Sequence, residues 1–291
     1  MPPRIHFDDS EDIIDICMDN VFKAVFTRDN PASQGALSAL VSAITGRELR
    51  ALTVVANEPA LENLRDRQIR FDIHCKAANG ELVNIEMSLN PDPFEPVRLE
   101  FHAAKLFTGQ DIRGTDKTYD DLMQAYQIAI LVREKFFPDG DFFHSFEYYD
   151  PERRMPLGGR SRILTLELSK VEAVAKKPTP QMSAGEKWAV FFKYLRDEGM
   201  RGKINEIVER EEGIAMASEV LLNISRDEEE RARLASEYKY QLDMQSKLVH
   251  AKRQGRQEAN LENARKMKGL GISVENIQAV TGISVEKIDE L

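Results

Sequence analysis

Amphipathic segments in the first half of the chain follow two different periods. Apolar residues three and four positions apart predict helices over 19–26, over 31–44 with an end at Gly46, and over 94–113. Alternating or short apolar runs predict strands at 49–55, 69–75, 82–89, 128–132, 142–149 and 163–168. This mixture predicts an α/β domain, which we bound at residues 1–175.

The second half of the chain is predicted to be helical. Trp188, Phe191 and Leu195 recur at helical spacing. A long helix follows, and the acidic run 227–230 suits its first turn, where the helix dipole favours negative charge; a solvated linker is the alternative for these four residues. We therefore expect a helical region over 183–268.

A short sequence repeat marks the carboxyl-terminal tail. The motif Gly-Ile-Ser-Val-Glu begins at Gly271 and again at Gly282, and each copy contains a serine suited to cap a short helix. The repeat predicts a small helix-turn-helix-like tail over 269–291. Because the last helix is acidic, we favour contact with a protein over DNA reading. The pattern also predicts that the chain forms a homo-oligomer through its helical carboxyl-terminal region.

The two strands around Gly80 predict a β-hairpin whose register depends on its turn. A two-residue turn at Asn79-Gly80 pairs residues whose numbers sum to 159, which places polar Asp72 beside apolar Met87. A three-residue loop with Gly80 in the left-handed region pairs residues summing to 158 and places Asp72 opposite Glu86. Only the second register keeps one face apolar and the other polar, so we predict it.

This register brings two carboxylates together on the polar face. Opposed carboxylates about 5 Å apart are destabilising unless a positive charge lies between them. Because Mg²⁺ prefers carboxylate and carbonyl oxygens, Asp72 and Glu86 are candidate metal ligands. The alternative is that both acids point into water from a half-exposed hairpin. Gln127 is a weaker candidate for the same site, and His74 is expected to be structural.

Composition excludes several classes of protein. The 291 residues are 42% hydrophobic and 31% charged, as in an ordinary globular chain. Apolar runs are far shorter than the roughly 20 residues of a membrane span, and the amino end has no signal segment. We therefore expect no membrane partner and a cytoplasmic protein. Cys17 and Cys75 are too few for a disulfide framework or a zinc site and are expected to be reduced and packed.

The net charge of −9 over the whole chain argues against a nucleic-acid partner, because phosphate binding needs Lys and Arg. The distribution of charge along the chain changes this conclusion. Residues 231–268 contain ten Lys and Arg against four Asp and Glu. Within this basic stretch, Lys252 and Arg253 are candidate DNA contacts, and an ordinary solvated helix is the alternative. Arg98, His102 and Lys105 share a polar stripe of the helix after the hairpin, where they suit phosphate contacts or a solvated face.

These segments together resemble the Rpn family of recombination-promoting nucleases and transposases, within the PD-(D/E)xK nuclease superfamily. The resemblance rests on Asp72 in Arg-Phe-Asp-Ile, Glu86 in Asn-Ile-Glu-Met-Ser, the preceding Asp-Asn-Val-Phe-Lys-Ala-Val-Phe helix and the following Arg98 helix. It covers roughly residues 17–170. It implies a restriction-endonuclease-like core, with a central mixed β-sheet flanked by helices. It also implies a metal-dependent DNA endonuclease that cleaves phosphodiester bonds in recombination or mobile-element activity.

The resemblance also implies residue roles. Asp72 and Glu86 are metal ligands, the Met87 backbone carbonyl is a further ligand, and the cofactor is Mg²⁺ or Mn²⁺. The chain departs from the pattern at Ser88, where the family commonly has Gln and the superfamily Lys. Because serine has no positive charge and is a poor base at neutral pH, Lys23 is the candidate substitute, with a solvated helix lysine as the alternative. The competing function is a catalytically impaired nuclease fold that binds DNA or a protein.

Overall fold

The computed structural model describes residues 5–55, 72–91, 93–112 and 115–291. Its helices are α1 (Asp19–Phe26), α2 (Pro31–Thr45), α3 (Glu95–Thr108), α4 (Glu172–Ala175), α5 (Ala184–Tyr194), α6 (Arg201–Arg210), α7 (Glu212–Arg226), α8 (Glu228–Gly269), α9 (Val274–Thr281) and α10 (Val285–Asp289). Its strands are β1 (Thr53–Val54), β2 (Ile73–Lys76), β3 (Leu82–Ser88), β4 (Ala125–Leu131), β5 (Phe143–Phe146), β6 (Tyr149–Asp150), β7 (Met155–Pro156) and β8 (Ser161–Glu167).

Six strands form a central mixed sheet in the order β1-β2-β3-β4-β8-β5. The neighbours β3, β4 and β8 run parallel, whereas β1, β2 and β5 pair antiparallel with their neighbours. Parallel strands need a crossover connection, and α3 provides it between β3 and β4. The remaining strands, β6 and β7, form a separate two-stranded hairpin. The α/β class and the central mixed sheet flanked by helices are therefore confirmed.

The β2–β3 hairpin has the register that its hydrophobic pattern predicts. Ile73 lies opposite Ile85, so paired residues sum to 158. Gly80 has a φ of +89°, and its N–H donates to the carbonyl of Ala77 at 2.8 Å, which closes the turn. The expected start of the first strand, residues 69–71, lies outside the described residues.

The main core joins the sheet to the amino-terminal helices and to α5, α6 and α7. Phe22 and Phe26 of α1 lie 4.8 Å apart between ring centroids, and Trp188 of α5 stacks on Phe192 at 5.5 Å. Phe26 also contacts Trp188 at 5.8 Å, so α1 and α5 share one core.

Contacts group the chain into two compact units, one ending at Leu234 and the other spanning Ala235–Leu291. This grouping differs from the expected segments 1–175, 183–268 and 269–291, because the aromatic residues of α5 pack in the core of the sheet domain. In the second unit, α9 and α10 pack on the end of α8 through Ala264, Ile277 and Ile288. The repeat serines occupy the capping positions of α9 and α10, but neither makes the expected side-chain capping hydrogen bond.

Two predicted strands are shorter than expected. The segment 49–55 contributes only β1, because Leu49 and Leu52 are buried in the core instead of pairing in the sheet. The segment 142–149 divides between β5, which pairs with β8, and β6, which turns away to pair with β7.

The cysteines are as expected from the sequence. Cys17 and Cys75 are both free and buried. Burial raises the pKa of the Cys75 thiol to about 12 and raises the pKa of the Cys17 thiol as well. In the described part of the chain, no helix is long and apolar enough to cross a membrane.

Candidate active site

The polar residues of β3 lie beneath α3. Because successive side chains of a strand point to opposite faces, residues 83, 85 and 87 enter the main core, and the residues between them face α3. This second face is also buried, because α3 packs over it. Its polar side chains are those of Asn84, Glu86 and Ser88, which belong to residues no more than 8% exposed.

Glu86 is surrounded by groups that compensate its charge. Its Oε1 accepts a hydrogen bond from Nδ2 of Asn84 at 3.0 Å and is hydrogen-bonded to the Nδ1 of His102. Nη2 of Arg98 lies 3.4 Å from the other carboxylate oxygen, Oε2. Oε2 is buried and makes no hydrogen bond within the described residues. A buried carboxylate is costly unless it is paired, so Glu86 keeps one oxygen only partly compensated.

Asp72 lies immediately before β2, beside the same stretch of β3. Its Oδ2 accepts a hydrogen bond from the N–H of Met87 at 3.2 Å, and its Oδ1 lies 3.1 Å from Nζ of Lys23. Lys23 also contacts Asp19, one helical turn earlier, at 2.9 Å. Burial, then the negative charges of Asp19 and Glu86, raise the pKa of Asp72 to about 6, and Lys23 opposes this rise. The Asp72 carboxylate is therefore ionised at neutral pH at an energetic cost.

The oxygen donors at this site suit a hard divalent cation. Asp72 and Glu86 supply carboxylates, and one oxygen of Glu86 lacks a hydrogen bond in the described structure. The N–H and C=O of one residue in an extended strand point to the same side, so the Met87 carbonyl faces the side on which Asp72 lies. Mg²⁺ and Mn²⁺ prefer such carboxylate and carbonyl oxygens. These residues therefore fit a divalent cation, and Lys23 and Arg98 supply positive charge there.

Residues 16–251 match the model of the family described as PD-(D/E)XK nuclease family transposase. The chain belongs to this family. Membership confirms the resemblance seen in the sequence, supports a nuclease-like function and implies DNA as the substrate. No curated protein and no solved structure matches the chain.

Ser88 and Arg98, which were expected near Asp72 and Glu86, differ in how they relate to Glu86. Ser88 lies on the same face as Glu86, about 6–7 Å farther along the strand, and its hydroxyl makes no hydrogen bond with a described residue. Arg98 is paired with Glu95 at 2.6 Å as well as lying near Glu86. Lys105 is half-buried and forms no ion pair with any residue that the structure describes.

The two candidates in the basic stretch belong to α8. Arg253 is exposed on this helix, within the second compact unit. The backbone of Lys252 is part of α8, and its side chain lies outside what the structure describes. Both remain predictions as DNA contacts.

Three residues of the site were not recognised as such from sequence. Asp19 is the first residue of α1, and the i, i+4 spacing of Asp19 and Lys23 was the signal for their pairing. Asn84 joins the site to Gln127 through a hydrogen bond from its Nδ2 to Oε1 of Gln127 at 2.8 Å. His102 was expected either to contact phosphate or to lie on a solvated helix face, and its Nδ1 is hydrogen-bonded to Glu86.

A second cluster of potential ligands lies near the β5 edge of the sheet. Ligand atoms of Asp139, His144 and Glu167 all fall within 4.8 Å of one another. The Nζ of Lys170 lies 2.6 Å from Glu167 and 3.2 Å from Asp139, so an ammonium group already supplies the positive charge. Glu167 also accepts a hydrogen bond from the N–H of Phe136 at 2.6 Å. This cluster therefore fixes the loop before β5 against the end of β8.

Proposed function

We propose that this protein is a metal-dependent DNA endonuclease. Asp72, Glu86 and the Met87 carbonyl would hold Mg²⁺ or Mn²⁺, which would supply Lewis-acid polarisation of the scissile phosphate when bound. The proposal is carried by one observation: the half-buried carboxylate of Asp72, just before β2, lies beside the strand that carries the buried carboxylate of Glu86, and the ammonium of Lys23 lies 3.1 Å from Asp72. In this scheme Lys23 orients Asp72 and provides the positive charge that Ser88 does not.

Arg98 would change partners during this reaction. In the structure its guanidinium compensates Glu86, although the side chain is 45% exposed. If Glu86 held a divalent cation, Arg98 would keep Glu95 as its carboxylate partner at 2.6 Å, and its partly exposed guanidinium would turn from Glu86 to a substrate phosphate. Lys105 lies on the same helix, and Lys252 and Arg253 would add contacts that do not depend on base sequence.

A cleavage assay with matched variants tests this function. Supercoiled, linear and single-stranded DNA are incubated with Mg²⁺, Mn²⁺ or a chelator, using the wild type, Asp72→Asn and Glu86→Gln. We expect cleavage only with metal, and a fall of at least about 100-fold in each variant, since loss of a ligand should exceed the 10–100-fold cost of losing a supporting residue. Glu81→Gln is the matched control, because Glu81 is also buried and pairs with Arg47 at 2.8 Å.

Two results would contradict the proposal. One is the absence of cleavage of every DNA form with either metal. The other is cleavage that persists in both Asp72→Asn and Glu86→Gln, because neither carboxylate would then be needed.

The second candidate function is a catalytically impaired nuclease fold that binds DNA or a protein. It is favoured by Ser88 and by the compensation of Glu86 through Arg98 and His102. It predicts DNA binding without cleavage, measured by titration, and no change of affinity in Asp72→Asn.

We also propose that the protein forms a homo-oligomer through its helical carboxyl-terminal region. We propose in addition a cytoplasmic location and a role in recombination or mobile-element activity. Sedimentation of the full chain tests the oligomer.

A further inference from the structure

A groove of about 260 Å³ opens beside α3, on the flank of the helix away from Glu86. We call it the β8 groove, because Ser161, Ile163 and Thr165 of β8 form its floor. One wall is α3, and the other includes Phe146. Its volume is just below the roughly 300 Å³ at which typical small-molecule sites begin, so it suits a single ring system.

The floor of the groove carries a polar atom that has no partner among the described residues. Thr165 is fully buried, and its Oγ1 makes no hydrogen bond there. Buried hydroxyls in native proteins are nearly always hydrogen-bonded, so this atom points to a ligand. Thr165 lies in register with Glu86 through Ala129, on the same face of the sheet. Glu86 and Thr165 are two β-strand spacings apart, or about 10 Å. Three stacked nucleotides of one DNA strand span about the same distance.

The wall opposite α3 is a preformed set of aromatic rings. The ring centroids of Phe137 and Phe146 are 5.2 Å apart, and the His144 ring lies 17° from parallel to Phe146. His144 is held in turn by Asp139 at 2.9 Å. Phe146 and Tyr148 remain 40% and 58% exposed, so both residues are accessible without unfolding. Aromatic faces of this kind stack on any base, since every base has a π-face.

The acidic residues at the groove favour a ligand that donates hydrogen bonds. Glu100 and Glu147 belong to its lining, and Arg162 lies 3.4 Å from Glu147. The exocyclic amino groups of bases donate hydrogen bonds to carboxylates. The groove is therefore complementary to a neutral planar ring with amino donors at its edge.

We infer that the β8 groove receives one unstacked nucleobase of the DNA strand whose phosphate lies at Asp72 and Glu86. The base stacks on Phe146 and Tyr148, and its edge bonds to the hydroxyl of Thr165. This inference rests on the proposed function, because it assumes DNA at the carboxylates. It implies a preference for single-stranded or distorted DNA, in which removing a base from the stack costs least.

Fluorescence of 2-aminopurine tests this placement directly. The probe is a short single-stranded oligonucleotide with one central 2-aminopurine, titrated with the full chain in chelator so that no metal-dependent cleavage occurs. We expect quenching on binding. Phe146→Ala and Tyr148→Ala should each weaken binding by between about fivefold and 150-fold, the range for losing one stacked base. Tyr119→Ala is the matched control, an aromatic residue that is 80% exposed and does not line the groove.

Thr165→Val adds a readout that a purely structural role would not produce. Valine keeps the shape of the side chain and removes the buried hydroxyl that has no partner in the described structure. The melting temperature should therefore stay equal or rise, while the affinity difference between the 2-aminopurine oligonucleotide and its abasic analogue shrinks. A variant with a lower melting temperature and unchanged discrimination would count against a base at Thr165.

The outcomes separate this inference from the proposed function. Unchanged affinity and quenching in both Phe146→Ala and Tyr148→Ala would overturn the inference, as would the absence of binding or quenching in the wild type. If metal-dependent cleavage that needs Asp72 persists in that case, the proposed endonuclease stands alone. Quenching that depends on Phe146 without any cleavage would instead retain the base site and reject the endonuclease.

Discussion

The ionised carboxylate of Asp72 should make the protein less stable at neutral pH than at mildly acidic pH. Its side chain is only 23% exposed, and burial followed by the charge of Asp19 raises its pKa from 3.8 to about 6. The folded protein therefore binds this proton more tightly than the unfolded chain does. Stability falls as the pH rises through the window from about 4 to about 6.

The perturbation is Asp72→Asn, which removes the charge and keeps the size. Each pKa unit corresponds to about 1.4 kcal/mol, so the rise from 3.8 to about 6 amounts to at most about 3 kcal/mol. The variant should therefore be more stable than the wild type at pH 7, by up to that amount. The two proteins should be about equally stable near pH 4, where the wild-type carboxyl is largely protonated.

Urea unfolding at pH 4, 5, 6 and 7 measures this difference, and Asp150→Asn is the control with opposite sign. Hydrogen bonds from Arg153 lower the pKa of Asp150, so its replacement should not stabilise the protein at pH 7. Mg²⁺ should stabilise the wild type at pH 7 and should not stabilise Asp72→Asn. A stability difference between Asp72→Asn and wild type that does not change with pH would refute the reasoning. So would an Asp72→Asn variant less stable than wild type at pH 7.

Three further predictions concern the same domain. Ser88→Lys should change the single-turnover cleavage rate by less than about tenfold, because Lys23 already supplies the positive charge beside Asp72; a rise into the roughly 10²–10⁴-fold range of a positioned proton-transfer group would show that it does not. Gly80→Ala should lower the free energy of unfolding in urea by about 1–2 kcal/mol, because φ is +89° there, and equal stability would contradict the turn geometry. Cys17 and Cys75 should resist a thiol reagent in the native state and react fully in denaturant, because both are buried; rapid native labelling would show that they are accessible.

The elements predicted well are those whose signal is local. The hairpin register followed from its alternation, because only pairs such as Ile73 with Ile85 keep the two faces uniform. The first two helices followed from apolar spacing and from the left-handed Gly46 that ends α2. Lys23 is the residue that the sequence offers as a substitute for the lysine of the superfamily, and the structure places its Nζ 3.1 Å from Oδ1 of Asp72. Its catalytic role stays a prediction.

The elements missed depend on contacts between distant parts of the sequence. Strand β5 pairs antiparallel with β8, which brings Asp139 close to Glu167 and Lys170. No periodicity in either segment indicates this contact. In the same way, the helices after residue 183 look like an independent region in sequence, since their apolar stripes do not show that Trp188 packs against Phe26. Such partners are chosen by the tertiary fold.

The central position of β3 has a consequence for how the site opens. Amide protons in a strand that is buried on both faces and paired with neighbours on both edges should be among the slowest in the domain to exchange with solvent. Glu86 is therefore carried by the part of the domain that we expect to open least. Arg98 and His102 of α3 cover its carboxylate. A ligand of Glu86 must displace these two side chains, whereas the pairing of β3 with β4 need not break.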